Sequence, residues 1–468
     1  MKPYILEMND LNALEVFKRV QHLPYSLLLD SADEAHPDAR HSFVACMPVE
    51  MIEAKNGIIV VTNAKEQKTI EDTDPFSFVQ KRLQHYRLSV LQNPELPPFH
   101  GGAAGFFGYD LGRSIENLPE HSKDNPEMPD MTIGIYDQVF AWDHQTRTGM
   151  LITHSDSEQK AEVKQQHFLN LLEQKAPSFD FEGLDIEWNS NFTQERYEEQ
   201  VQKIIDYIHA GDIFQANMSQ RFDADLPQDF DAFAHYTSLR EISPAPFAGF
   251  FNLGNIKISS SSPERFLTVR GEQVETKPIK GTRPHVEDEV LDTVYRNSLE
   301  NSEKDRAENI MIVDLLRNDL SKVCRGDSVK VPKLCELESF KTVHHLVSTI
   351  TAKLRQGYNA LDLLRACFPG GSITGAPKIR AMEIIEELEP TRRSPYCGSL
   401  GYIGFDGNMD TNILIRTLIF QDNKVSFQVG GGIVADSNPQ EEYEETLTKA
   451  TGIFASFKPK TIQKQKVA

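Results

Sequence analysis

Residues 262–282 read SPERFLTVRGEQVETKPIKGT, and this stretch contains a short apolar run on each side of Gly271. The pattern predicts two neighbouring strands joined by a turn at the glycine. Glu264 comes just before the first run and Lys280 comes just after the second, so the hairpin would bring the two side chains close together. Glutamates and lysines at strand ends are usually only solvated or salt-bridged. As a pair they offer a proton donor and an amine nucleophile.

The composition is that of a folded globular protein that does not bind polyanions. Of the 468 residues, 39% are apolar and 25% are charged, and the length suffices for two or three average domains or for one large mixed core. Acidic residues outnumber Lys and Arg by 69 to 49, which gives a formal charge of −20. This excess makes nucleic acid and anionic membranes unfavourable partners, so an anionic substrate must be held by local groups.

The cysteines and the N-terminus predict a cytoplasmic protein. The five cysteines are odd in number and include no C-x-x-C pair, which fits reduced thiols better than a disulfide framework. Glu7 comes too early for a signal peptide, and no apolar run approaches the roughly 18 residues of a membrane span.

The order of the predicted elements indicates an α+β architecture with large antiparallel sheets covered by helices. Strand runs and helix runs alternate in blocks, without the regular strand–helix rhythm of a parallel sheet. We divide the chain into a strand-rich region 1–155, a helix and crossing linker 156–192, a second region 193–457 and a polar tail 458–468. The second region opens with Thr193, a good N-cap before an apolar stripe at helical spacing.

Two acidic segments have the spacing of a site for a divalent cation. Asp305 and Glu308 lie on one side of a predicted helix, where Glu308 shares the apolar face and therefore needs a cation, a donor or a proton. Glu442 and Glu445, also three apart, follow the helix start at Asn438. Magnesium suits these oxygens better than zinc does. The alternatives are a salt bridge to an arginine for Glu308 and favourable dipole placement for the second pair.

Three glycine-rich turns, 101–105, 369–378 and 430–432, are candidates for binding an anion. The turn 369–378 opens a predicted helix, and free N–H groups at a helix start bind anions. Its lysine does not have the P-loop spacing, so a carboxylate is a better ligand than a nucleotide. For each turn the alternative is that glycine only permits a bend or close packing.

With these motifs, and with Gly211–Gln215 and Asp410–Thr411, the chain resembles the chorismate-utilising family that includes component I of anthranilate synthase and of aminodeoxychorismate synthase. The matching segments follow in order and span most of the sequence. The resemblance implies a four-layer α/β/β/α fold, chorismate as the substrate and Mg²⁺ as the cofactor.

Two positions of the family indicate which nucleophile is added. Anthranilate synthases carry alanine where this chain has Lys280, whereas aminodeoxychorismate synthases carry lysine. Isochorismate and salicylate synthases use a lysine to activate water at the position of Gln215. The resemblance therefore implies amination at ring carbon 4 without release of pyruvate, on the route to para-aminobenzoate and folate. An anthranilate synthase that tolerates the lysine, a water-adding enzyme and a non-catalytic subunit that binds magnesium and anions stay open.

The resemblance also assigns the chemistry to three residues. Glu264 would protonate the departing hydroxyl at ring carbon 4, and Lys280 would attack ring carbon 2. The acid must hold its proton near neutral pH and the amine must lose one, and burial favours both uncharged forms. His345 matches a family histidine near the ring, with core packing as its alternative.

Further residues are assigned to the metal and to the substrate. Those implied for magnesium are Glu308, Glu442, Glu445 and Asp305. Those implied for the substrate are Gln215, Thr282, Ser372, Thr374, Gly375, Lys378, Tyr396, Arg416, Gly430 and Gly432. Among them, the guanidinium of Arg416 and the phenol of Tyr396 would hold the carboxylate of the enolpyruvyl arm, since a guanidinium makes two parallel bonds to a carboxylate.

No cysteine lies in a recognisable nucleophile turn with histidine and acid partners, so the ammonia must have another source. The resemblance implies a separate glutamine amidotransferase subunit. The segment 27–31 also resembles one that lines an amino-acid pocket in anthranilate synthases.

Overall fold

The structure, a computed structural model, describes residues 1–71, 73–86, 95–176, 178–286, 288–339 and 343–459. The helices of these residues are α1 (Ala13–Val20), α2 (Pro75–Tyr86), α3 (Glu158–Leu172), α4 (Gln194–Ala210), α5 (Ala232–Ile242), α6 (Glu289–Glu300), α7 (Glu303–Ser321), α8 (Ala360–Cys367), α9 (Lys378–Leu388) and α10 (Pro439–Phe457). The strands are β1 (Lys2–Glu7), β2 (Leu27–Asp30), β3 (His41–Ala45), β4 (Glu50–Lys55), β5 (Ile58–Asn63), β6 (Gln67–Glu71), β7 (Gly102–Phe107), β8 (Met131–Tyr136), β9 (Gln138–Asp143), β10 (Thr148–Ser155), β11 (Asn189–Ser190), β12 (Gln215–Asp225), β13 (Phe247–Asn252), β14 (Ile256–Ser262), β15 (Arg265–Arg270), β16 (Gln273–Thr276), β17 (Ile279–Pro284), β18 (Lys330–Ser339), β19 (Val343–Lys353), β20 (Gly375–Ala376), β21 (Ser399–Gly404), β22 (Met409–Asn412), β23 (Thr417–Gln421) and β24 (Lys424–Ile433).

These strands form two large sheets, each of twelve strands. The first sheet has the order β1-β10-β9-β3-β2-β13-β14-β23-β24-β12-β11, with β20 beside β12. The second has the order β17-β19-β16-β15-β22-β21-β7-β8-β4-β5-β6, with β18 beside β19. The strand pairs within both sheets are antiparallel, for example β12 with β24 and β17 with β19.

The sheets pack face to face and helices cover their outer faces. The layer between them contains Phe43 and Phe251 from the first sheet and Phe106 and Tyr402 from the second. Helices α1, α3, α5 and α10 pack on the first sheet, and α2, α7 and α8 pack on the second. The predicted α+β class and the four-layer α/β/β/α arrangement are confirmed.

Strands from the two regions of the chain share both sheets. In the first sheet β2 pairs with β13, and in the second β7 pairs with β21. Regions 1–155 and 193–457 therefore build one common core, although Thr193 does cap α4 as predicted, accepting a bond from the Arg196 amide. The boundaries themselves stay a prediction, and most of the predicted tail lies outside the described residues.

The hairpin predicted around Gly271 is present, but Lys280 is not part of it. Strands β15 and β16 pair with Val269 opposite Val274 and turn at Gly271. Lys280 lies on the next strand, β17, which pairs with β19 instead of β15. Pro278 separates β16 from β17, and proline has no N–H with which to continue a ladder. The expectation that a single hairpin brings Glu264 and Lys280 together was therefore wrong, and a third strand is needed.

Candidate active site

Glu264 lies buried between β14 and β15, and its surroundings favour the protonated acid. The hydroxyl of Ser372 donates to Glu264 Oε1 over 2.8 Å. Burial raises the pKa of Glu264 to about 7, although the bond from Ser372 and the nearby charge of Lys280 act in the opposite direction. A carboxyl with this pKa can hold and release a proton near neutral pH.

The side chain of Lys280 reaches Glu308 on α7. Its Nζ lies 2.6 Å from Glu308 Oε1, and both side chains are nearly buried. The register of β17 against β19 shifts after Lys280, where Gly281 has a φ of +74°. A Cβ at Gly281 would lie 2.8 Å from Leu299, so the bulge that aims Lys280 at α7 requires glycine. Glu308 thus makes its salt bridge to Lys280 and not to an arginine, the alternative considered from the sequence.

Gln215 approaches the same carboxylate from the first sheet. Its amide nitrogen donates to Glu308 Oε1. Gly432, which lies on β24 opposite Asn217, leaves room for this contact, because a Cβ there would collide with both Gln215 and Glu308. The carbonyl oxygen of Gln215 is buried and receives no hydrogen bond from the described part of the chain. An unpaired buried acceptor is unfavourable unless a ligand supplies a donor.

The other predicted metal ligands each have a partner within the protein. Glu442 Oε1 accepts a bond of 2.6 Å from the hydroxyl of Ser437. Asp305 Oδ2 lies 3.1 Å from Arg283, and Glu445 Oε1 lies 2.7 Å from Lys449. Burial raises the pKa of Glu442, and the negative charge of Glu445 raises it further.

One segment of β24 is surrounded by Glu308, Glu442 and Glu445, whose carboxylates suit magnesium as ligands. Cβ atoms built on Gly431 and Gly432 would lie 3.0 Å from Glu442 Oε2 and 2.5 Å from Glu308 Oε1, respectively. The same Cβ on Gly431 would lie 3.6 Å from Glu445 Oε1. Their oxygens do not meet in a single shell within 4.8 Å. The donor type and the mutual repulsion nevertheless fit a hard divalent cation that keeps some of its waters.

Arg416, the predicted carboxylate anchor, is partly buried and carries an unneutralised charge. Within the described residues no hydrogen bond or ion pair of its guanidinium is found. Burial lowers the pKa of Arg416 below its ordinary value, and no carboxylate counteracts this effect. Burying a cation without a partner is costly, so the arrangement favours an anionic ligand at this position.

Tyr396 and His345, two further predicted site residues, are both buried and uncharged. Burial raises the pKa of the Tyr396 phenol well above its ordinary value, so the hydroxyl keeps its proton and can donate. Burial, reinforced by the charge of Arg416, lowers the pKa of His345 to about 4. His345 Nδ1 lies 2.9 Å from the hydroxyl of Thr282, which ties β19 to the strand that carries Lys280.

The turn that precedes α9 contributes Ser372 to the site, while its other predicted members make contacts within the fold. Thr374 donates to the carbonyl of Gly370 over 2.9 Å. Gly375 lies in β20, which pairs with β12. Lys378 Nζ lies 2.6 Å from Asp319 and within 2.8 Å of two carbonyl oxygens, so all three of its donors are used inside the protein. The substrate roles of these residues stay predictions, as do those of Gly430 and Gly432, which the structure places in β24 opposite β12.

Sequence reasoning missed the groups that balance the charge of the acids. Lys304 lies 3.6 Å from Glu442. Lys449 could have been expected, since it follows Glu445 by four residues on a helix, the spacing of an intrahelical ion pair. Ser437 has no comparable signal, because a serine before a helix start is usually only a capping group.

The chain matches known proteins along nearly its whole length. Residues 26–455 match the family described as chorismate binding enzyme, and the chain belongs to this family. It is 45% identical to aminodeoxychorismate synthase component 1 of Escherichia coli, over 94% of both chains. It is 37% identical to anthranilate synthase component 1 of Thermus thermophilus, over 93% of both.

A solved structure supports the same assignment. The crystal structure of anthranilate synthase component I from Streptococcus pneumoniae superposes with a TM-score of 0.79 at 34% identity. The match covers 89% of this chain and 92% of that one.

No helix of the described residues is long and apolar enough to span a membrane.

Proposed function

We propose that this protein aminates chorismate at ring carbon 4, the reaction in the name of its Escherichia coli relative, and yields 4-amino-4-deoxychorismate. The observation that carries the proposal is the pairing of a lysine with an acid of raised pKa. Lys280 is close enough to Glu264 to influence its pKa, which burial sets at about 7. This is the combination that an addition at one ring carbon and a departure at another require.

The reaction proceeds in two displacements. The nitrogen of Lys280 attacks ring carbon 2, the ring double bonds shift, and the bond from carbon 4 to oxygen breaks. Glu264 gives its proton to the departing hydroxyl, which leaves as water. Ammonia then attacks carbon 4, the double bonds shift back, and Lys280 leaves carbon 2 as an amine. The extra proton of the incoming ammonia passes to the basic groups of the site, and the net change replaces hydroxyl by amino.

Lys280 must change partner before it can attack. Its Nζ contacts Glu308 Oε1, so the lysine has to give up this contact to reach the ring. A group that draws Glu308 away would therefore activate the nucleophile.

Gln215 is suited to hold the ammonia. Its buried carbonyl oxygen lacks a donor among the described residues, and its amide group is oriented by Glu308. Ammonia donates hydrogen bonds readily, whereas a glutamine cannot take a proton from water as a lysine base would. This supports amination over the addition of water.

Magnesium is the cofactor that we propose, with Glu308, Glu442 and Glu445 as its ligands and Asp305 nearby. When bound, the cation would neutralise these acids and hold the ring carboxylate of the substrate. We expect the Glu308→Ala variant to require more Mg²⁺ and to bind chorismate more weakly. An unchanged Mg²⁺ titration of the variant would reject the ligand set.

We further propose that a separate glutamine amidotransferase subunit supplies the ammonia in the cytoplasm. The designation component 1 in the Escherichia coli relative supports a second subunit. The five cysteines are free and buried, which supports a reducing compartment. Purified protein should use ammonium salts alone and should use glutamine only after the partner is added.

The decisive experiment incubates the protein with chorismate, Mg²⁺ and ammonium and identifies the product by mass spectrometry, with a parallel pyruvate assay. We expect 4-amino-4-deoxychorismate and no pyruvate. Anthranilate with pyruvate would favour the activity named in the Thermus and Streptococcus relatives, and isochorismate without ammonia would indicate addition of water. If chorismate binds without turnover, the subunit is not catalytic.

A further inference from the structure

We propose that His285, Asp292 and His344 form a binding site for a divalent transition-metal ion such as Zn²⁺, separate from the acids assigned to magnesium. The nearest ligand atoms of the three side chains all lie within 4.8 Å of one another. In the described part of the chain no other group of histidine, cysteine and acid residues meets this spacing. The proposal concerns metal binding and is independent of the proposed reaction.

Three different elements supply the ligands. His285 follows β17, Asp292 lies in the first turn of α6, and His344 lies on β19. Asp292 Oδ1 is 2.8 Å from His344 Nε2 and 3.9 Å from His285 Nε2. The two imidazole rings are 4.7 Å apart between centroids.

These separations are close to those of a zinc site. Ligand atoms about 2.0–2.2 Å from a tetrahedral zinc lie about 3.4 Å from one another. The contact between Asp292 and His344 would open slightly and that between Asp292 and His285 would close slightly. Two imidazoles and one carboxylate leave a fourth position for water, a common arrangement for zinc with three protein ligands.

The surrounding groups orient two of the ligands. His344 is almost fully buried, and its Nδ1 lies 2.8 Å from the hydroxyl of Ser339. A hydroxyl can accept the Nδ1 proton, which leaves the Nε2 lone pair for a metal, as in other metal-binding histidines. The amide of Val286 donates to Asp292 Oδ1 over 3.0 Å and fixes the carboxylate.

Only His285 is exposed to solvent, and it therefore decides between two interpretations of the cluster. Asp292 and His344 alone make an ordinary hydrogen bond that holds α6 against β19. The side chain of His285 is 38% exposed, which leaves it able to turn toward a metal. An occupied site would tie together the segment after Lys280, helix α6 and the strand that carries His345.

The test measures binding of Zn²⁺ to the full-length protein by calorimetry in excess Mg²⁺, so that the magnesium acids are occupied. We expect one equivalent to bind to wild type, and at least a tenfold weaker affinity in His285→Ala. His209→Ala removes an exposed histidine on α4 and is the matched control, with unchanged affinity expected. Co²⁺ bound to wild type or to His209→Ala should show the visible absorption of a four-coordinate site. This absorption should be absent when Co²⁺ is added to His285→Ala.

Thermal unfolding without metal checks that His285→Ala folds, and metal-free His285→Ala and His209→Ala should melt with wild type. Asp292→Asn provides a second variant, which should also weaken Zn²⁺ binding. Equal Zn²⁺ affinity of wild type and His285→Ala would overturn the proposal. So would a wild type that binds no Zn²⁺ at micromolar concentration, and a lower melting temperature of Asp292→Asn would then show that the cluster only holds α6 against β19.

Discussion

The surroundings of Arg393 and Arg416 are opposite, although both guanidinium groups are removed from bulk water. Arg393 makes two bonds to Glu389, at 2.9 and 2.7 Å, and further bonds to the carbonyls of Ile373 and Asn217. The guanidinium of Arg416 has no hydrogen-bond or ion-pair partner among the described residues. Burial by itself would lower the pKa of both, but Glu389 raises that of Arg393 well above its ordinary value. The charge of Arg393 is neutralised within the chain, whereas the charge of Arg416 stays available for the anionic ligand that we propose.

The surroundings of Arg393 and Arg416 are also connected through an aromatic side chain. The guanidinium of Arg393 lies 5.7 Å from the ring centroid of Tyr396, the phenol predicted to bind the same carboxylate as Arg416. The paired arginine therefore supports the position of a residue in the candidate site. Lys280 is intermediate between the two arginines, because its single acid partner, Glu308, is itself a proposed metal ligand.

Replacing Lys280 should have the largest effect on activity. We expect Lys280→Ala to lower kcat/KM for amination about 10⁴-fold, equivalent to about 5.5 kcal/mol, because the nucleophile is lost. The affinity for chorismate should persist, since the carboxylate anchors remain. Lys277→Ala is the matched control, because Lys277 pairs with Asp38 instead, and it should retain activity. Product formation by Lys280→Ala at the wild-type rate would exclude the covalent step.

Removing the fully paired arginine should chiefly affect stability. Arg393→Met leaves Glu389 buried without its cation, which we expect to lower the free energy of unfolding by about 3–5 kcal/mol. Urea denaturation followed by circular dichroism measures the change. If the variant unfolds at the wild-type urea concentration, the Arg393 region does not serve the fold as its contacts indicate.

Removing the unpaired arginine should chiefly affect the substrate. Arg416→Met should weaken chorismate binding about tenfold to a hundredfold, as expected for about 1.5–3 kcal/mol in hydrogen bonds to a charged group. Its free energy of unfolding should stay the same or rise, since an uncompensated charge is removed. Arg416→Lys should bind with intermediate affinity, because an ammonium cannot form two parallel bonds. Wild-type affinity in Arg416→Met would show that the anchor lies elsewhere.

The smallest effect is a dependence on pH that follows from Glu264. Its pKa of about 7 lies above the ordinary value of 4.5, so the acid form is complete at low pH and is lost as the pH rises through 7. We expect the fraction of enzyme with protonated Glu264 to fall tenfold per unit above this pH, about 1.4 kcal/mol each, which carboxyl-carbon NMR of wild type and Glu264→Gln measures. Its contribution to stability has the same sign, and Glu264→Gln should unfold at higher temperature than wild type at pH 8 while losing activity. A Glu264 carboxyl that is already fully ionised at pH 6 would reject it as the acid.

The local patterns of the chain predicted individual elements well. The capping residue and proline at Asn438–Pro439 predicted the start of α10, and the apolar spacing around Ile312 predicted α7. The turn at Gly271 was likewise visible, because it depends on neighbouring residues only. The prediction failed for Lys280, which pairs with β19, a strand more than sixty residues later in the chain. Strand order in a sheet depends on such distant partners, and no local pattern reports it.

The candidate site also depends partly on local sequence and partly on contacts between distant segments. Residue types and short spacings, together with the family resemblance, predicted which side chains have the chemistry for the reaction: Glu264, Lys280 and two carboxylate pairs on helices. Only the folded chain assigned their partners, joining Lys280 to Glu308, Ser372 to Glu264 and Glu389 to Arg393 while Arg416 was left without one. Chemical identity belongs to each residue by itself, whereas neutralisation and burial arise from groups that two sheets and their helices bring together across hundreds of positions.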